Sequence, residues 1–207
     1  MRSEFVIFSI IALLAIAPST ALAHGDIGGQ IAALGEQIAK DPTNPAHYLR
    51  RGGLHRIHED FDLALADYER AAQLDPSLDA TQLAKGQLLF EAGWSASARA
   101  VLDAYIARNT QDATARLIRA RVLSSLGHYL AAAEDYTHAI HVMKTPTPDY
   151  YLECANALAA LGGNYIGEAI ACLDEGIGVL GPLITLQVAA LDLEIKHERH
   201  AQSLARL

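Results

Sequence analysis

Apolar and small side chains recur along this chain at helical spacing, in stretches parted by turn signals. Ile27, Ile31, Leu34 and Ile38 fall on one face of a helix over 27–40, which Asp41-Pro42 ends. Asn44 before Pro45 is an N-cap followed by a proline in the first turn, and predicts a helix running to about His58. Asp60 is a second candidate cap. It opens a helix over 61–74, in which Leu65, Tyr68 and Ala72 form a buried stripe and which Asp75-Pro76 stops. The same design then repeats. Helices are predicted over 79–92 and 95–108 around Gly93, over 113–126 and 129–142 around Gly127, and over 148–161 and 165–179 around Gly162-Gly163-Asn164. Thr147-Pro148 opens the last of these pairs as Asn44-Pro45 opens the first. The tail predicts helices over 182–195 and 198–207, with Ala189 and Ala201 as their small residues.

These pairs recur every 34 residues. Ala64, Ala98 and Ala132 are 34 apart, as are Gly52, Gly86 and Ala120, and Leu49, Leu83 and Leu117. One globular core has no reason to repeat large and small residues at fixed distances, whereas a stack of like helix pairs does, because each pair meets its neighbour in the same way. Ala132 to Ala169 is 37, so the fourth pair carries one extra residue before it and two more in its break. The organisation read from this is a capping helix in 24–44, units at 45–78, 79–112, 113–146 and 147–181, and a partial unit at 182–207. Gly52 and Ala64 are expected to face each other where two helices cross, because a bulky side chain there would push the axes apart. Arg51, Lys85 and Arg119 share one column, with stems that can lie along apolar neighbours while the charged heads reach water.

The first 23 residues read differently. Arg2 supplies a positive start that Glu4 cancels, Phe5 to Ala17 is an uncharged apolar run, and Ala21-Leu22-Ala23 is a small-residue cleavage site. This is the pattern of a secretory signal peptide cleaved after Ala23, which places the protein in the periplasm or outside the cell. The run is short for a bilayer span, which needs roughly 20 residues, and no second span follows residue 23. The formal net charge of −8 repels phosphate backbones and argues against a nucleic-acid partner. Cys154 and Cys172 fall on the two helices of one pair. In an oxidising compartment they form either a disulfide staple or two separate buried thiols.

The columns resemble those of the tetratricopeptide repeat family. The first unit reads Tyr48, Arg51-Gly52, His55, Ala64, Tyr68, Ala71 and Pro76; the third reads Ala120, Leu123, Gly127, Tyr129, Ala132, Tyr136 and Ala139. The second keeps Gly86, Leu89, Gly93 and Ala98, but has Leu102 for the aromatic and Tyr105 for the small residue. The resemblance implies an all-α, right-handed superhelical solenoid whose first helices line a concave groove for another protein or peptide. Its groove columns map onto Leu49, Leu83, Leu117, Leu152 and Leu186, which form either an apolar floor or packing between adjacent helices. Arg56, Gln87, Phe90, Arg121 and Asn156 are contacts above it. The Lys and Asn clamp by which some members hold chaperone C-termini is absent, because its columns hold Leu49, Gly53, Ala84, Thr114 and Ile118.

Three histidine pairs, His55/His58, His138/His141 and His197/His200, have the i, i+3 spacing that puts two imidazoles on one helix face. Two ligands start a metal site and three or four complete one, so a periplasmic metal-handling protein is the rival reading. No nucleophile elbow, phosphate-binding glycine loop or zinc-hydrolase motif occurs, and no cofactor motif is found. The chain therefore reads as a binding scaffold and not an enzyme.

Overall fold

A computed structural model describes residues 27–206. The apolar run at 5–17, the cleavage site after Ala23, His24 and Leu207 lie outside the described residues. The described chain is helical: α1 (Ile27–Lys40), α2 (Pro45–Ile57), α3 (Phe61–Leu74), α4 (Asp79–Glu91), α5 (Ser95–Ile106), α6 (Ala113–Ser125), α7 (Tyr129–Val142), α8 (Pro148–Ala160), α9 (Ile166–Leu180), α10 (Ile184–Lys196) and α11 (His200–Arg206). A 3₁₀ turn at Gly163–Tyr165 takes up the lengthened break before α9. Among the described residues no helix is long and apolar enough to cross a membrane.

Local chemistry sets the helix ends. The Asn44 side chain accepts from the Ala46 N–H at 3.1 Å, with Pro45 in the first turn. Asp112 caps α6 in the same way, accepting from the Ala115 N–H at 3.0 Å. Asp60 and Thr147 make no side-chain cap bond; the Asp60 carboxylate instead meets His58 Nδ1 at 2.9 Å. Each hairpin turn needs one residue in the left-handed region, because the chain must reverse within a few residues. Gly93, Gly127 and Gly162 fill that position in the middle hairpins, at φ of 81°, 77° and 87°, while Glu59 and Glu198 fill it in the first and last, at 65° and 56°. A side chain there costs on the order of 1 kcal/mol, which glycine avoids. Glu59→Gly is therefore expected to stabilise the chain by a few tenths to about 1 kcal/mol, and Gly127→Ala to destabilise it by about 1 kcal/mol, both read by chemical denaturation.

Packing follows the 34-residue columns. Ala64, Ala98, Ala132 and Ala169 are fully buried where each second helix crosses its first. Tyr68, Leu102 and Tyr136 fill the space beside them. The core is a string of local clusters. One gathers Ala64, Tyr68 and Leu88; the next gathers Leu89, Ala98, Leu102, Ile118 and Val122; the largest runs through α6 to α10. Each hairpin packs on the next, and successive first helices also touch, α2 on α4, α4 on α6 and α8 on α10. The first helices thus form the tighter, inner side of the stack. α1 packs on α2 alone and covers the first hairpin.

The arginine column departs from expectation. Arg51 donates through Nε and Nη2 to Asp67 at 2.8 and 2.7 Å, and Arg119 donates to Asp135 at 2.6 and 2.7 Å. Both carboxylates are buried. The charged heads therefore clasp the second helix of their own hairpin and do not extend to water. In the second hairpin the residue sixteen beyond Lys85 is Val101, which offers no carboxylate, and Lys85 donates to Glu69 of α3 at 2.9 Å.

Candidate functional site

The inner face of the first helices is where a partner would lie, and it is built from side chains one turn apart on α2, α4, α6 and α8. Two ion pairs bridge neighbouring first helices. Arg56 Nη1 of α2 donates to both oxygens of Glu91 of α4 at 2.7 and 2.8 Å, and Gln87 donates to the same carboxylate at 2.9 Å. Arg121 of α6 holds Glu153 of α8 with its fork, Nε at 2.9 Å and Nη2 at 3.0 Å. Both pairs are part-exposed. Burial opposes the Arg56 charge, but the hydrogen bond and charge of Glu91 outweigh it and the guanidinium pKa is raised; Glu153 raises that of Arg121. Beside the second pair lies a cavity of 210 Å³, lined by Ser124, Tyr129, Tyr136, Glu153 and Asn156. Burial, with the charge and hydrogen bond of Glu153, pushes the Tyr136 phenol up. At the other end, Arg50, Gly53, Arg56 and Ile57 of α2 face Gln30 and Gln37 of α1 across a cavity of 370 Å³.

The leucine column is divided between core and surface. Leu117 and Leu186 are core residues, and Leu49, Leu83 and Leu152 are half-buried against the core clusters. The column packs towards the core clusters, and Leu49, Leu83 and Leu152 keep part of their surface outside them. Phe90 is likewise half-buried against the second cluster, whereas Asn156 is exposed. The structure therefore brings together Arg56 with Gln87, and Arg121 with Asn156. It adds Glu91 and Glu153, which the sequence reading did not single out, and sets Ser124 and the repeat tyrosine Tyr136 beside the second pair. The available signal was a carboxylate about one repeat beyond each groove arginine, 35 residues for Glu91 and 32 for Glu153.

The histidine pairs do not assemble a metal centre, and among the described residues no group of three or more His, Cys, Asp or Glu side chains is placed to hold a metal ion. His55 is a packing residue, buried 4.0 Å from Asp67, while His58 sits outside on Asp60. His138 turns Nε2 inward without a partner, while His141 meets Glu175 at 3.0 Å. His197 and His200 are exposed. Cys154 and Cys172 are free thiols here and no staple joins them. Together with Thr137, His138, His141 and Glu175 they line a cavity of 680 Å³ between the second helices α7 and α9.

Comparison with solved structures finds the same architecture. A tetratricopeptide repeat protein from Parabacteroides merdae superposes with a TM-score of 0.69 at 18% identity, over 88% of this chain and 71% of that one. MamA gives 0.66 at 22% identity, over 86% and 94%. YrrB, described as a TPR protein with an unusual peptide-binding site, gives 0.69 at 15% identity, over 85% and 89%. The fold is that of the tetratricopeptide repeat solenoids. No protein-family model matches the sequence, and no curated protein matches it.

Proposed function

We propose that this protein is an exported interaction scaffold that holds a segment of another protein along the inner face of α2, α4, α6 and α8, with no turnover, in assembling or regulating an envelope complex. The observation that carries this reading is the pair of part-exposed Arg–Glu bridges, Arg56 to Glu91 and Arg121 to Glu153, each spanning two first helices. An arginine fork takes a carboxylate bidentately. A partner segment offering carboxylate or carbonyl acceptors at the repeat spacing would compete with Glu91 and Glu153 for those forks, while exposed Asn156 supplies a neutral hydrogen-bonding group beside them. The solenoid fold supports the reading, because a curved stack presents one long surface whose chemistry varies repeat by repeat. The uncharged apolar run at 5–17 and the small-residue site at 21–23 support export.

A photo-crosslinking residue placed at Asn156 is expected to capture a partner in the native host, whereas the same residue at exposed Leu63 on α3 captures none. Arg121→Ala then lowers affinity for the captured partner by roughly tenfold or more, because a charged hydrogen bond contributes about 1.5–3 kcal/mol. Capture from Leu63 and not from Asn156 would place the binding surface on the second helices and overturn the proposal.

A further inference from the structure

The fourth hairpin replaces a feature that ties the first and third. In those two, an arginine on the first helix clasps the aspartate sixteen residues on, Arg51 with Asp67 and Arg119 with Asp135. The corresponding place in the fourth hairpin follows from the insertions. One extra residue precedes α8 and two more lie in its break. The arginine's counterpart is therefore 35 residues beyond Arg119, and the aspartate's is 37 beyond Asp135. Those positions are Cys154 and Cys172. The two cysteines thus occupy one cross-helix slot, which in the first and third hairpins already serves as the tie between first and second helix.

The geometry of α8 and α9 suits a short tie. The helices cross closely: a Cβ at Gly176 of α9 would lie 2.7 Å from Tyr151 Cγ of α8. Cys172 Sγ donates to the Tyr151 carbonyl at 3.7 Å, one turn before Cys154, and Cys154 Sγ lies 3.6 Å from the Thr137 hydroxyl on α7. Cys154 is fully buried, while Cys172 is part-exposed at the wall of the 680 Å³ cavity between α7 and α9.

We propose that Cys154 and Cys172 are a redox pair, closing to a disulfide that replaces the ion-pair clasp and fixes α8 against α9 behind that cavity. The oxidant is a disulfide of the glutathione or dithiol-oxidase class, and the step is thiol–disulfide exchange. The accessible Cys172 sulfur, once its proton has gone to solvent, attacks the oxidant's disulfide. A mixed disulfide forms and one thiolate is expelled. The Cys154 thiolate then attacks Cys172 Sγ, closing the internal bond and expelling the second thiolate. Two electrons pass to the oxidant's two sulfurs, which take up the two protons released.

The test equilibrates the full chain with reduced and oxidised glutathione at graded ratios, quenches with iodoacetamide under denaturing conditions and reads intact mass. The expected result is a species that has lost two hydrogens, takes up no alkyl group and melts several degrees above the reduced chain. Cys154→Ser and Cys172→Ser should keep the far-ultraviolet circular dichroism of the parent. Each collects one glutathione adduct at most and shows no rise in melting temperature on oxidation. Two alkylatable thiols at every ratio would overturn the proposal, as would a separate glutathione on each cysteine or a covalent dimer.

Discussion

Gly52→Val is expected to destabilise the first hairpin by about 3 kcal/mol or more, a cost of overpacking a site that cannot give way. A Cβ at Gly52 would lie 2.7 Å from Tyr68 Cε1 and 3.1 Å from the Ala64 carbonyl oxygen. The Tyr68 ring is fully buried, and the second obstacle is backbone, so neither can swing aside. Valine adds two methyl groups beyond that Cβ. Gly53→Val provides the comparison. It is the next residue of the same helix, and its Cβ would meet only the Tyr68 hydroxyl, at 4.0 Å. Any difference between the two variants in urea unfolding is then packing and not helix propensity. Gly52→Ala already sets that Cβ against the Tyr68 ring and should carry part of the cost, less than Gly52→Val because it lacks the two further methyl groups.

Asp135→Leu is expected to cost about 3–5 kcal/mol, the scale for removing one partner of a buried ion pair. Asp135 accepts from Arg119 through two bonds and from Arg116 Nη1 at 2.9 Å, and it is buried beneath both. Its loss leaves two guanidinium groups partly enclosed without that counter-charge. Arg119 retains Asp103 at 2.8 Å, and Arg116 retains the Thr110 carbonyl, so the penalty falls short of an isolated buried charge. Combining Asp135→Leu with Arg119→Met should recover a large part of the loss, because an apolar pair of similar size fills the same slot. As a control, Asp192→Ala, which breaks the exposed pair with Lys196, should change stability by less than about 0.5 kcal/mol.

Helix bounds and the hairpin register were legible because they depend on local chemistry and on a period that any column reports. The 27–40, 61–74 and 129–142 helices fall where Ile27–Lys40, Phe61–Leu74 and Tyr129–Val142 are found. What the sequence obscured is which direction a column points. Leu117 and Arg121 are one turn apart on α6, yet one is core and the other sits on the inner face, a distinction set by how the next hairpin leans and not by residue type. The clasps were obscured for a related reason. Arg51 and Arg119 were visible as a column, but their partners Asp67 and Asp135 lie on another helix. An aspartate 5% exposed in an otherwise apolar stripe is legible only once the two helices are placed face to face. The same placement reveals the Cys154 and Cys172 slot, which sequence spacing alone left open between a bond and two separate thiols.

The claim beneath all of this is that the molecule has no single core: hairpins shelter only their neighbours. Native-state hydrogen exchange on Gly52→Val addresses it directly, because the lesion is confined to the first hairpin. In a one-dimensional stack, protection is lost in α1 to α4 and kept in α8 to α10, whose cluster shares no residue with Tyr68. A uniform fall in protection from α2 through α10 would show one cooperative globule and contradict the account.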